Sequence, residues 1–133
     1  MHCSDCDVEL VTFSVPETYE ECLPGGTDST AAVGLCPRCL SLEPVSSPPS
    51  KNPDFERLGE SFPSNADAAV PMALLVGLLS NLALYRSEIT TLLEAVERTG
   101  TDPLLVLDRL DRDPNIQSDI DLAGRRRQLE QLY

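Results

Sequence analysis

Lysine occurs once, as Lys51, histidine once, as His2, and tryptophan is absent; three phenylalanines and three tyrosines are the only aromatics of the 133-residue chain. The lack of lysine leaves ten basic residues, nine of them arginine, against 22 carboxylates, for a net charge of −12. Such an excess repels polyanions and keeps a chain soluble, which argues against broad electrostatic binding of nucleic acid or of an anionic membrane. With His2 as the only imidazole, a Cys-His-acid catalytic set has too few parts, and no catalytic residue is assigned. No basic, apolar leader precedes Cys3 in Met1-His2-Cys3, so the thiols are expected to stay reduced in a cytoplasmic setting rather than to pair as disulfides.

Long apolar runs are also scarce. Ala68 to Tyr85 is the one uncharged stretch that reaches the lower bound of a membrane span, at eighteen residues. Leu75, Leu79, Leu82, Arg86, Ile89, Leu93 and Val96, all but Arg86 apolar, nevertheless step by threes and fours through that stretch and on into Glu88, Glu94, Glu97 and Arg98. A stripe that crosses into charged sequence belongs to a helix beside water, and Pro71, Gly77, Ser80 and Asn81 interrupt the run, so no membrane segment is expected.

What is present in quantity, for so small a chain, is cysteine. Four of the five cysteines form two C-x-x-C pairs, Cys3-Ser4-Asp5-Cys6 and Cys36-Pro37-Arg38-Cys39. A two-residue spacer lets one tight turn aim two thiolates at one point, and two such turns complete a tetrahedral Zn²⁺ site with bonds of about 2.3 Å. Cys3, Cys6, Cys36 and Cys39 are therefore the expected ligands of one structural zinc ion, since a closed Cys₄ set leaves no open position for catalysis. A thioredoxin-like pair would need a helix after its C-x-x-C, whereas Cys39 runs into the strand-like Leu40-Ser41-Leu42-Glu43. The 29 residues between the pairs exceed the about 15–20 of an ordinary zinc ribbon. The turn-rich segment from Glu17 to Ala32, with Pro24-Gly25-Gly26 in it, accounts for the excess as an insertion. Cys22, beside Glu20 and Glu21, reads as an unpaired loop thiol.

The flanking residues complete a ribbon over 1–43. Val8, Val11, Phe13 and Val15 predict a strand with Leu10 out of phase, and Val33-Gly34-Leu35 predicts the strand that enters the second pair. Pro44, Pro48, Pro49 and Pro53 make 44–53 an extended linker. Beyond it, 54–133 reads as a helical domain. Phe55, Leu58 and Phe62 form a short docking turn. A long helix from near Pro71 to Gly100, with Ser64 or Asp67 as earlier caps, is expected to break near Ser80 or Ser87. Asp102-Pro103 then caps a helix with Leu104, Leu107 and Leu110 on one face, which Asp113-Pro114 ends. A last helix spans about Asp121 to Leu132, with Leu122, Leu129 and Leu132 inward and Arg125, Arg126 and Arg127 outward. The expected class is α+β: a small zinc-ribbon β-hairpin joined by a linker to an α-helical bundle.

The motifs Met1-His2-Cys3-Ser4-Asp5-Cys6, Cys36-Pro37-Arg38-Cys39-Leu40-Ser41-Leu42, Val70-Pro71-Met72-Ala73-Leu74, Leu84-Tyr85-Arg86-Ser87-Glu88-Ile89 and Asp102 to Leu110 give the whole chain a resemblance to a domain family of unknown function from halophilic archaea. The resemblance implies zinc and the cytoplasm and no reaction. The acid-rich, lysine-poor composition is similar to that of proteins from salt-loving archaea. The second C-x-x-C pair also resembles the Cys-Pro-x-Cys-Gly motif of small zinc-finger proteins, with Leu40 in place of the glycine.

Three functions fit these residues. An adaptor, with its two parts contacting protein partners, needs no catalytic set and is favoured. A nucleic-acid-binding or transcription-related ribbon meets a charge obstacle, because Arg38 alone faces eight carboxylates over residues 1–50, a net of −7 that a Zn²⁺ held by four thiolates would take to −9. Only Arg125-Arg126-Arg127 could offset it. The third is a thiol-based redox sensor that loses its metal when the cysteines are oxidised.

Overall fold

The computed structural model describes residues 2–4, 6–16, 18–19, 32–45, 54–59, 62–118 and 120–132. Most of the expected insertion, Cys22 and most of the proline-rich linker lie outside them. The fold is α+β: a three-stranded antiparallel sheet followed by four helices.

Strands β1 (Val11–Ser14), β2 (Ala32–Leu35) and β3 (Leu42–Pro44) lie in that order across the sheet. Val11 pairs with Leu35 and Phe13 with Val33, and Leu35 pairs on its other side with Leu42. Alternation puts Val11, Phe13 and Val15 into the core. Leu10, out of phase with them, is buried as well, on top of Gly34, where an added Cβ would come within 2.9 Å of the Leu10 Cβ. Leu10 belongs to a separate small cluster with Cys3 and Cys36. The irregularity in the hydrophobic pattern is thus the residue that lines the underside of the cysteine site.

After the linker, Phe55–Leu58 forms a 3₁₀ turn with Phe55 and Leu58 buried. All three phenylalanines meet here: the rings of Phe13 and Phe55 are 5.6 Å apart, and those of Phe55 and Phe62 6.3 Å. Helix α1 (Ala66–Leu78) is the central element, with residues 68–76 and Leu78 all buried. Its cap is Asn65, which lies between the two expected candidates and whose side chain accepts from the Asp67 N–H at 3.0 Å. Pro71 lies inside α1 rather than at its start. The missing N–H removes one i→i−4 bond, and burial on all sides holds the helix regardless.

The break expected near Ser80 is a 3₁₀ turn, Leu79–Asn81, after which α2 (Arg86–Arg98) runs to Gly100 at φ 87°. The apolar stripe is therefore shared by two helices. Asp102 caps α3 (Pro103–Arg112), accepting from the N–H groups of Leu104 at 3.0 Å and Leu105 at 3.3 Å. The buried face of α3 is Pro103, Val106, Leu107 and Leu110, with Leu104 at its margin. Asp121 caps α4 (Leu122–Glu130), which buries Leu122 and Leu129. Among the described residues no helix is long and apolar enough to cross a membrane.

The sheet and the helices share one hydrophobic core. A single cluster contains Val11, Phe13, Val33, Leu35 and Leu40 together with Phe55, Leu58, the apolar face of α1 and residues of α2, α3 and α4. At the closest approach, an added Cβ on Gly77 of α1 would lie 2.6 Å from the Leu42 Cβ of β3. Only glycine lets helix and strand meet at that distance, and an alanine there would push them apart at a cost of about 1–3 kcal/mol.

Candidate metal centre

Each C-x-x-C pair is a knuckle built by the same backbone bonds. The N–H of Asp7 donates to the Cys3 carbonyl at 3.0 Å, and that of Leu40 to the Cys36 carbonyl at 3.0 Å. One residue further on, the N–H of Cys3 donates to Val8 O at 2.8 Å and that of Cys36 to Ser41 O at 2.9 Å. The residue after each second cysteine takes the left-handed conformation that folds the chain back, with Asp7 at φ 55° and Leu40 at φ 63°. Glycine adopts this region freely and other residues at a cost of about 1–2 kcal/mol. Leu40 thus takes the backbone conformation that glycine adopts freely.

The two turns bring Cys3, Cys6, Cys36 and Cys39 together, with all four Sγ atoms within 4.8 Å of one another. All four are free thiols. Cys3 Sγ and Cys39 Sγ are 3.7 Å apart. That is far beyond a disulfide bond of about 2.05 Å and close to the about 3.8 Å separating two ligands of a tetrahedral ion with 2.3 Å bonds. The set fits one soft, four-coordinate metal ion. Cys3 and Cys36 are buried on the Leu10 side, whereas Cys6 and Cys39 are half-buried.

Hydrogen bonds to sulfur are concentrated on the second knuckle. Cys36 Sγ accepts from the N–H groups of Arg38 and Cys39, each at 3.4 Å, and Cys39 Sγ lies 3.1 Å from Ser41 Oγ. Without a metal the thiols compete for protons. Cys6 is pushed up to about 12, first by its hydrogen bond with Cys39, then by burial and by the neighbouring sulfur charges. Burial raises Cys36, outweighing the two backbone N–H bonds that favour its thiolate. At Cys39 burial also opposes ionisation, but the Ser41 hydroxyl and N–H, with the Cys36 and Cys6 thiols, together lower its pKa. Of Cys6, Cys36 and Cys39, the thiolate that forms most readily is therefore that of Cys39, the one with a hydroxyl beside it.

The second knuckle also touches the helical layer. Arg38 O accepts from the Gln117 N–H at 2.6 Å, and the Arg38 guanidinium holds Gln117 Oε1 at 3.1 Å from Nε and 2.9 Å from Nη2. The segment between α3 and α4 is thereby tied directly to the metal turn. The first knuckle has one longer contact, Ser4 N–H to Glu43 Oε2 at 3.4 Å.

Spacing alone identifies the four cysteines but none of Leu10, Ser41 and Gln117. The leucine at a glycine position was the one sign that the second knuckle is unusual. Of the C-terminal arginines, Arg125 and Arg126 are half-buried rather than outward: Arg126 Nε lies 2.8 Å from Asp108 Oδ1, and its Nη1 pairs with Glu130. Arg125 donates to Gln128 Oε1 at 3.0 Å, while Arg127 is exposed.

A family model described as a family of unknown function (DUF6276) matches residues 2–133. No curated protein and no solved structure matches the chain.

Proposed function

Because the chain belongs to DUF6276, a family of unknown function that lends it no reaction, we propose from its own residues that Cys3, Cys6, Cys36 and Cys39 hold one structural Zn²⁺, and that the protein is an adaptor contacting protein partners rather than an enzyme. The observation that carries the metal assignment is the convergence of four sulfurs from two matching knuckles. An all-thiolate tetrahedral set suits Zn²⁺, or iron of the same coordination, and disfavours the hard ions that prefer oxygen. With four protein ligands the ion offers no open position to a substrate, which is the support for an adaptor. Free thiols require a reducing compartment, and the cytoplasm is the one we assign.

Nucleic-acid binding is the weaker reading, because Arg126, the middle residue of the basic run, is spent on Asp108 and Glu130 within the fold. Elemental analysis of the purified wild type and of Cys36→Ser tests the centre. About one zinc per chain in the wild type and a clear loss in the variant are expected; unchanged zinc in Cys36→Ser, or iron in place of zinc, would overturn the assignment. Affinity capture at the chain's own expression level tests the adaptor, for which stoichiometric protein partners are expected and nucleic acid alone would count against it.

A further inference from the structure

Beside Pro37 of the second knuckle lies an open cavity of about 580 Å³ between the Phe55–Leu58 turn and the end of α3. Three of the nine arginines line it: Arg57 from the turn, and Arg109 and Arg112 from the last part of α3. The i,i+3 spacing sets the latter two on one helix face. Glu56 and Asp113 also line it, so the local formal charge is +1 in a chain of −12. Pro37 and Ile116 supply an apolar wall.

Arginines in the last turn of a helix ordinarily offset the negative end of the helix dipole. That role accounts for Arg109 and Arg112. It does not account for Arg57, which comes from a segment about fifty residues earlier, nor for the cavity between them. Among the described residues Arg57 is held in place by one donor, Nη2 to Glu9 O at 2.7 Å, which leaves other N–H groups of its five to serve a ligand. Arg112 has no hydrogen-bond or ion-pair partner among the described residues. Asp113 Oδ1 is taken up by the Asn115 N–H at 2.9 Å, so that oxygen is already engaged within its own turn.

We propose that this cavity binds a small phosphate-bearing molecule, with Arg57 and Arg112 gripping the phosphate and Pro37 and Ile116 contacting the remainder. A phosphate offers three oxygens to guanidinium forks arriving from different directions, whereas a single carboxylate is satisfied by one fork. The volume is that of a small-ligand site. A polymer is disfavoured, since the surrounding charge of −12 repels an extended polyanion more strongly than one compact group at a local positive point. The proposal does not depend on the metal.

Titration of the full-length protein with inorganic pyrophosphate, followed by calorimetry at low ionic strength, tests it. Saturable binding is expected, weakened about tenfold or more in Arg112→Gln and in Arg57→Gln, since each removes a charged hydrogen-bond donor. Arg98→Gln, which alters only an exposed pair with Glu94 on α2, is expected to bind as the wild type does. Arg112 is exposed, so its variant keeps the fold, and it decides alone if Arg57→Gln loosens the Glu9 contact. Absence of saturable binding, an equal loss in Arg98→Gln, or tighter binding of a short duplex DNA that also depends on Arg112 would each overturn the proposal.

Discussion

The two knuckles are closed by the same pair of backbone bonds, yet Asp7 closes the first turn at φ 55° from an exposed position, while Leu40 closes the second at φ 63° with 1% of its surface accessible. Both residues take the left-handed conformation, which an aspartate enters more readily than a leucine. Only in the second does a buried side chain accompany it, joining the cluster that runs through α1 to α4. Ser41 beside Cys39 has Val8 as its counterpart in the first knuckle, and Gln117, held by Arg38, has none among the described residues. Two turns with equal geometry thus have unequal duties: the first supplies two of the four clustered thiols, while the second supplies the other two and fastens the sheet to the helices.

The largest expected effect comes from removing the metal altogether. Binding of an ion to the folded form alone stabilises by about 4 kcal/mol when its free concentration is a thousandfold above Kd, and a chelator should remove that amount. Because the sheet and helices share a core, the loss should appear in the helical signal as well as in the sheet. Thermal unfolding followed by far-ultraviolet circular dichroism, with and without a strong chelator, checks this; an unchanged helical transition would mean that residues 54–133 fold independently. Protons enter the same balance. With Cys6 up to about 12 and Cys36 raised, these thiols hold protons near neutrality that a divalent ion must displace. Uptake should release protons and weaken on acidification, as calorimetry in buffers of different ionisation enthalpy would show.

Next in size is Leu40→Gly. Truncating a buried leucine costs about 2–5 kcal/mol, glycine's freedom in the unfolded chain adds roughly 0.5–1 kcal/mol, and relief of left-handed strain returns about 1–2 kcal/mol, so a net destabilisation of about 0.5–5 kcal/mol is expected. A denaturant titration measures it. The substitution that would restore the common form of the motif should therefore weaken this protein, and a gain in stability would show that strain at Leu40 outweighs its burial.

Much of this arrangement could be read in the amino-acid sequence because its cause is local. Two-residue spacers, the Asp102-Pro103 cap and the period of the α2 and α3 faces act within a few residues. The features that escaped depend on distant partners. Leu10 looks like a fault in a strand until Gly34, Cys3 and Cys36 are beside it. Ser64 and Asp67 are as good caps on paper as Asn65, and the choice falls to packing of α1, whose burial also tolerates Pro71. The proline-rich linker suggests two separate bodies, but a linker's composition says nothing of whether the parts it joins expose complementary apolar faces, and here Leu42 and Gly77 meet. The cavity between Arg57 and Arg112 has the same character, since it joins residues far apart in the chain.

A smaller effect separates the knuckles by their outer contacts. Ser41→Val gives the second knuckle the residue that the first has at the matching place and removes the hydroxyl 3.1 Å from Cys39 Sγ. Loss of a bond to a metal ligand typically lowers metal affinity about 10–100-fold. Competition with a chromophoric chelator measures the change, and unaltered affinity would mean that Ser41 serves the backbone turn alone.

The smallest change tests the first knuckle by the substitution already set for the second. Asp7→Gly removes the left-handed strain, and because Asp7 is exposed there is no buried surface to lose. Glycine also gains freedom in the unfolded chain, which takes back roughly 0.5–1 kcal/mol of the about 1–2 kcal/mol released. A net stabilisation of at most about 1.5 kcal/mol remains, opposite in sign to Leu40→Gly. If Asp7→Gly instead destabilises the metal-loaded protein as much as Leu40→Gly does, the carboxylate holds a contact with the turn that outweighs its strain, and the two knuckles are equal after all in what their closing residues contribute.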